Sequence, residues 1–293
     1  MNSISPHTSA LLTEVELRDL LERYRNENWR GIQTPEWQSK IVDGILHDDG
    51  AAIFEQLLPG WTIPESATVL DIGSGVGTFV LACRRRGLSA FGIEPDRIGQ
   101  GGAVTSIQIA KRRLEDQVFA VALGEQLPFR DRSFDLITMN QVMEHVSDQA
   151  TVLFEAARVL KPGGAIYIAC PNYLRFYESH YKIFWFPLLP KVLGRLYLRA
   201  RGRNPVLLNQ LKYTTNSRLR TLLQKLGPDY VLTDLHRRSF LERYKHGTFL
   251  SFRARFVSRM MRMPFIGDIV FIAALWFLRC TEGGIEMLVV RNS

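Results

Sequence analysis

The stretch Val69-Leu70-Asp71-Ile72-Gly73-Ser74-Gly75-Val76-Gly77 decides how this chain reads. Thr68 to Ile72 is a short, mostly apolar run of the kind a buried strand needs, and it leads straight into glycines at alternate positions. Such glycines let the chain turn tightly and let a ligand lie against bare backbone, with the amino end of the next helix, about Thr78 to Arg86, pointing at it. The spacing is GxGxG, and Thr78 stands where a dinucleotide-binding GxGxxG would place its last glycine, which counts against NAD. Ser89 to Ile93 is a second strand, ended by Glu94, where a carboxylate can accept both ribose hydroxyls of a nucleoside lying over the first turn.

The same rhythm continues outward. Phe119 to Ala122, Phe134 to Met139 and Ala165 to Ala169 read as further strands, and Thr151 to Leu160 as a helix stopped by Lys161-Pro162-Gly163-Gly164. Repeated β-α units predict a parallel sheet with helices on both faces. Upstream, the run from Glu14 to about Tyr24 and the segment Trp37 to Leu58, interrupted near Asp48 to Gly50, predict amino-terminal cover helices within residues 1–65. After the fifth strand the rhythm breaks into an aromatic, basic segment over about 173–213. Asn216 to Leu226 then reads as a helix and Tyr230 to Leu235 as a strand. A second irregular segment, about 236–284, precedes a terminal strand, Ile285 to Val290. One α/β domain over 66–293 carrying two insertions fits better than two successive domains.

Composition agrees with a globular protein. The 293 residues are 46% hydrophobic and carry 37 Lys+Arg against 29 Asp+Glu, which excludes a mainly disordered tail, a collagen-like fibre and a disulfide-stapled miniprotein. The net charge of +8 is unevenly spread: residues 1–150 hold 14 basic and 21 acidic side chains, and residues 151–293 hold 23 and 8. Residues 171–280 alone hold 20 basic and 5 acidic, so the excess lies in the two insertions. Cys83, Cys170 and Cys280 form no CxxC pair and no histidines stand at ligand spacing, so buried reduced thiols are expected, and neither a disulfide framework nor a structural zinc site. No secretory leader is visible at the start, so a cytoplasmic location is expected. The longest apolar stretch, Pro264 to Leu278, is interrupted by Asp268 and falls short of the about 20 residues a spanning helix needs.

Four ordered motifs within residues 66–172 resemble the class I S-adenosylmethionine-dependent methyltransferases, and especially the group that includes the ubiquinone/menaquinone C-methyltransferases. They are the glycine loop with Glu94; Leu127-Pro128-Phe129 through Phe134-Asp135-Leu136-Ile137; Glu144-His145-Val146; and Arg158-Val159-Leu160-Lys161-Pro162-Gly163-Gly164. The resemblance implies a Rossmann-like, doubly wound, seven-stranded and mostly parallel sheet, with the insertions following strands 5 and 6. It implies S-adenosyl-L-methionine as cofactor, with Asp71, Gly73, Ser74, Gly75 and Gly77 against its methionine part and Glu94 on the ribose. The turn before Leu127 would edge the adenine, and Asn140 with Gln141 would lie beside the sulfonium. Many relatives carry an aspartate for the adenine amino group where Leu123 stands here, so Glu125 or main-chain groups of Leu123 and Gly124 would have to serve.

Methyl transfer from a sulfonium is an in-line displacement, in which positioning alone can supply about 7–11 kcal/mol, so a base is optional. For an oxygen acceptor one would help. His145 is one candidate, with a structural role as its alternative. Glu178, His180 and Tyr181, directly after the fifth strand, form a second group, and simple packing on the sheet is its alternative. Both insertions should emerge at the edge where ligands of open α/β sheets bind, roofing the site. In Pro190 to Arg201, Lys191, Arg195 and Arg199 recur at four-residue spacing beside Val192, Leu193 and Leu196, and Arg253, Arg255, Arg259 and Arg262 precede the late apolar run. Basic faces beside Trp, Phe and Leu suit an anionic membrane surface; a solvated basic face over a core helix is the alternative. No nucleic-acid-binding module is recognisable, so nucleic acid is not expected as the partner. The expectation is a methyltransferase acting on a small or lipid-linked acceptor (glycan, glycolipid or isoprenoid intermediate), more readily at oxygen, cytoplasmic or peripheral to the inner face of the membrane, with no metal. C-methylation of a quinone-like ring, an RNA methyltransferase and a cofactor-binding module without turnover are the alternatives.

Overall fold

The computed structural model describes residues 12–47, 53–54, 61–95, 105–114, 116–235, 238 and 284–293. Seven strands form one sheet: β1 (Thr68–Ile72), β2 (Ser89–Glu94), β3 (Phe119–Val121), β4 (Phe134–Asn140), β5 (Leu160–Cys170), β8 (Tyr230–Asp234) and β9 (Ile285–Arg291). Their spatial order is β3-β2-β1-β4-β5-β9-β8, and only β9 runs antiparallel to its neighbours. The order reverses direction at β1, beside β4, which is where a doubly wound sheet opens a crevice for ligands.

Alternation along β1 places the core on both faces. Leu70 and Ile72 pack with Ile137, Met139, Val152 and Leu219 on one side, whereas Val69 packs with Phe79, Val80, Leu136 and Tyr167 on the other. Helices α3 (Thr78–Arg85), α4 (Ser106–Arg113), α5 (Gln149–Val159) and α8 (Asn216–Gln224) supply these apolar faces. Asp148 caps α5 through Ala150 N at 2.9 Å, and Thr215 caps α8 through Arg218 N at 3.2 Å, each satisfying a first-turn donor. Upstream, α1 (Glu14–Asn28) starts with a Thr13/Glu16 capping box, and α2 (Pro35–His47) packs against it around Leu21 and Val42.

Two elements differ from the sequence reading. The Lys161-Pro162-Gly163-Gly164 breaker does stop α5, but it lies inside β5 and is not a loop before it. Phe134 pairs with Leu160 and Leu136 already pairs with Ala165, so the extra residues bulge. Gly164 makes this possible, because a Cβ there would stand 2.8 Å from the Asp135 carbonyl oxygen. The first insertion is also more regular than expected. It holds a two-stranded hairpin, β6 (Tyr177–Glu178) with β7 (Ile183–Phe184), then α6 (Lys191–Ala200) and α7 (Val206–Gln210). These pack with the amino-terminal segment around a separate small core of Ile32, Tyr181, Trp185, Leu198 and Leu208. Cys83 and Cys170 are buried free thiols, as expected. Cys280, the four late arginines, Pro264 to Leu278 and all but Gly284 of the second insertion's 239–284 lie outside the described residues. Among the described residues no helix is long and apolar enough to cross a membrane.

Candidate functional site

A cavity of about 330 Å³ opens at the carboxyl ends of β1, β2 and β4. That is within the size range of a small-molecule or cofactor site. Its floor is the glycine loop. Gly73 and Gly75 have φ of +71° and +52°, and a Cβ on Gly73 would come 2.4 Å from Val142 Cγ2, so only glycine fits there. A Cβ on Gly75 would meet nothing within 4 Å and would point into open space. Gly75 N donates to Glu94 Oε2 at 3.1 Å and Ser106 Oγ donates to Glu94 Oε1 at 3.1 Å. The carboxylate is thereby fixed at the end of β2, at the cavity wall.

Asp71, Ser74 and Gly77 support the loop from behind and do not line the cavity. Asp71 Oδ1 accepts from Thr138 Oγ1 at 2.6 Å, which ties β1 to β4. Burial pushes the Asp71 carboxyl up to about 7, against the Thr138 hydrogen bond and with Glu94's charge adding. Gly77 starts α3 in the left-handed region, where a Cβ would stand 2.8 Å from Phe119 Cζ.

At the opposite wall, Asn140 ends β4 away from the cavity while Gln141 lines it. Gln141 has φ of +59° and donates its N–H to the Ala169 carbonyl at 2.7 Å, so the chain turns sharply there and aims the second residue of the pair inward. Leu123, Gly124 and Glu125 all line the adjoining wall. Glu125 Oε1 accepts from Ser147 N at 2.6 Å and Asp148 N at 3.3 Å, so this carboxylate oxygen is already engaged. Arg158 holds the next turn: it donates to the Leu127 and Phe129 carbonyls and pairs with Glu155 and Asp131. The Arg158 motif is therefore structural. Tyr24 and Trp29 of the cover segment, Ser106 and Gln210 also line the cavity and were not anticipated, because no local pattern marks them.

The candidate acid–base residues come together. Val142 to His145 form a turn closed by His145 N donating to Val142 O at 2.8 Å, which places His145 on the cavity wall. The β6–β7 hairpin brings His180 beside it, with ring centroids 5.1 Å apart and an interplanar angle of 86°. Behind them Glu178 Oε1 stands 2.8 Å from His180 Nδ1, while Glu178 Oε2 accepts from Tyr181 N at 2.7 Å. Tyr181 is buried, and its hydroxyl donates to the Asn204 carbonyl at 2.9 Å, so it anchors the hairpin. Burial lowers the His180 pKa, but the hydrogen bond and charge of Glu178 and the charge of Glu144 outweigh it, and the net shift is upward. Glu144 is fully buried, and burial pushes its carboxyl up to about 7 with the His180 charge opposing. Glu144, His145 and His180 place one donor atom each within 4.8 Å of one another, a grouping the sequence reading did not anticipate because two of the three lie on elements 35 positions apart.

The geometry thus combines a glycine-floored crevice, a carboxylate fixed at the end of β2 and His145 on the opposite wall with His180 behind it. A family profile described as "Methyltransferase domain" matches residues 46–234. An uncharacterised methyltransferase of Mycobacterium sp. (strain KMS) is 35% identical over 139 residues, covering 47% of this chain and 52% of that protein. A demethylmenaquinone methyltransferase of Thermotoga maritima is 31% identical over 180 residues, covering 59% of this chain and 68% of that protein. The chain matches about half the length of the Mycobacterium relatives. Among solved structures, an S-adenosylmethionine-dependent methyltransferase from Mesorhizobium loti aligns with a TM-score of 0.50 at 16% identity, over 83% of this chain and 99% of that one, which speaks for the fold. With the match spanning the glycine loop, Glu94, His145, His180 and six of the seven strands, all but β9, the chain belongs to the methyltransferase domain family.

Proposed function

We propose that the protein is an S-adenosyl-L-methionine-dependent methyltransferase that methylates an oxygen of a small or lipid-linked acceptor of the glycan, glycolipid or isoprenoid class. The observation that carries this reading is the pairing, across one cavity, of the Gly75–Glu94 contact at 3.1 Å with His145, which has His180 packed behind it. Bound there, the cofactor supplies an electrophilic methyl group. Glu94 would hold the ribose, Gly73 and Gly75 would let the methionine part lie on backbone, and Gln141 would stand beside the reacting centre. His145, backed by His180 and Glu178, would orient an acceptor hydroxyl and take up its proton, a role worth about 10²–10⁴-fold where the acceptor is not already ionised.

The lipid-linked part of the reading is supported by the first insertion. Phe184, Phe186, Leu188, Val192, Leu193 and Leu196 are all exposed, at 46–60%, and Phe176 stacks on Phe184 at 5.9 Å. Apolar side chains gathered on one insertion, with Lys191, Arg195 and Arg199 on the same helix, suit the interfacial zone of an anionic membrane. C-methylation of a quinone-like ring is the second reading, favoured by the similarity to the demethylmenaquinone methyltransferase. The test is transfer of labelled methyl from S-adenosylmethionine into cell extract separated into lipid, RNA, protein and small-molecule fractions. Label in the lipid fraction as an alkali-stable ether or alkali-labile ester supports oxygen; label on a ring carbon supports the second reading; label in RNA overturns both.

A further inference from the structure

We propose that Glu144, His145 and His180 bind one divalent first-row transition-metal ion, with Zn²⁺ the best chemical match, at the acceptor side of the cavity. Two imidazoles and one carboxylate are a donor set that suits zinc and its neighbours better than Mg²⁺ or Ca²⁺, which favour all-oxygen ligands. Glu144 Oε1 stands 3.9 Å from His145 Nε2 and 3.8 Å from His180 Nε2. Ligands at about 2.1 Å from a tetrahedral zinc are about 3.4 Å apart, so these two pairs have to draw in by about half an ångström, and the two imidazoles, within 4.8 Å of each other, close on the ion by side-chain rotation.

Two further observations point to a ligand. Neither carboxylate oxygen of the fully buried Glu144 has a hydrogen-bond partner. Leaving such a group unsatisfied is costly, and buried charges are ordinarily paired or bound to metal. His180 is prepared in the way metal-ligating histidines usually are. Its Nδ1 is engaged by Glu178 at 2.8 Å, which turns Nε2 toward Glu144, and Glu178 is itself held by the Tyr181 amide. The Glu144 main chain is fixed as well, since its carbonyl accepts from Lys212 N at 2.7 Å.

His145 is 35% exposed in its side chain and lines the cavity, so positions on the ion that the protein leaves open face the acceptor. Three protein ligands with an open position is the pattern of catalytic rather than structural zinc. The chemical consequence rests on the oxygen-methylation reading above, with the bound ion replacing His145, now a ligand through Nε2, as the group that activates the acceptor hydroxyl. A hydroxyl bound at the open position loses its proton to solvent near neutral pH, and its oxygen forms the new C–O bond as the S–C bond breaks, leaving neutral S-adenosylhomocysteine. Acceptors carrying a second oxygen beside the reacting one, such as vicinal diols, would chelate and be preferred.

The experiment is titration of the chelator-stripped full chain with Zn²⁺ by calorimetry and with Co²⁺ by visible absorption, with Mg²⁺ as a control. One Zn²⁺ per chain is expected, with Co²⁺ developing d–d bands. His180→Ala and His145→Ala should each weaken Zn²⁺ binding by about 100-fold, and Glu178→Gln by about 10-fold, with cooperative unfolding and S-adenosylmethionine affinity retained. No saturable Zn²⁺ binding below millimolar, affinity unchanged in both histidine variants, or binding of Mg²⁺ alone would each overturn the site. Methyl transfer by a chain that binds no Zn²⁺ would sink this inference and leave the methyltransferase reading intact; Zn²⁺ binding without transfer to any fraction would do the reverse.

Discussion

The two walls of the cavity are built in opposite ways. The β1–β2 wall is made of backbone and one carboxylate: Gly73 and Gly75 give shape, and Glu94 is pinned by a main-chain N–H and by Ser106. The wall beyond β4 presents Gln141 and the half-buried His145, backed by buried titratable side chains from two segments, with Glu144 behind His145 and Glu178 behind His180. A backbone wall tolerates any acceptor, whereas a side-chain wall sets the chemistry. This is the division expected if one wall keeps a common cofactor and the other selects what is methylated.

Changes confined to one wall should separate binding from turnover. Gly75→Arg sends a long side chain into the open space above the loop, and saturable S-adenosylmethionine binding should disappear in calorimetry while far-UV circular dichroism is kept. Binding within threefold of wild type would remove the loop from the site. His145→Ala should cut kcat by about 10²–10³-fold with little change in cofactor affinity. An equal loss in both would mean that the walls are not functionally separate.

The cofactor wall also carries a stability signature. The Asp71 pKa is raised from 3.8 to about 7, so its contribution to stability is fully present below about pH 4 and is lost as pH rises through about 7. Relative to Asp71→Asn, the wild type should lose on the order of 4 kcal/mol between those limits, read from urea unfolding across pH. Parallel pH curves for the two proteins would show that Asp71 ionises normally. The smallest effect belongs to the insertion. Replacing Arg195 and Arg199 by Gln should lower binding to anionic vesicles in flotation by roughly 30-fold and leave neutral vesicles unaffected, since each surface cation contributes about 1 kcal/mol. Equal recovery with both vesicle types in the wild type would count against membrane contact.

How legible each wall is in the sequence follows from the same contrast. The glycine loop, Glu94 and the order of strands are written in contiguous segments with period-two and helical patterns, and the seven-stranded sheet forms where those patterns place it. Asn140 and Gln141 were both aimed at the site, but the left-handed turn at Gln141 lets only the second face the cavity. Glu125 looked available for an adenine amino group, yet its Oε1 receives the amides that precede α5. Tyr24 and Trp29 carry no local signal, since Tyr24 reaches the cavity because α1 packs on α2 and α4, and Trp29 because the segment after α1 packs on the first insertion.

By itself the sequence determined the glycine-loop half: strand, GxGxG, helix, strand and acid are local, and local backbone physics is enough to make the crevice from them. Tertiary structure alone decided that His180, on a hairpin inside what reads as an irregular insertion, returns to His145 and Glu144. The reason is that the hairpin is positioned by Tyr181 and Trp185 burying against Ile32, Leu198 and Leu208, a set of contacts spread over residues 32–208 that no periodicity along the chain encodes.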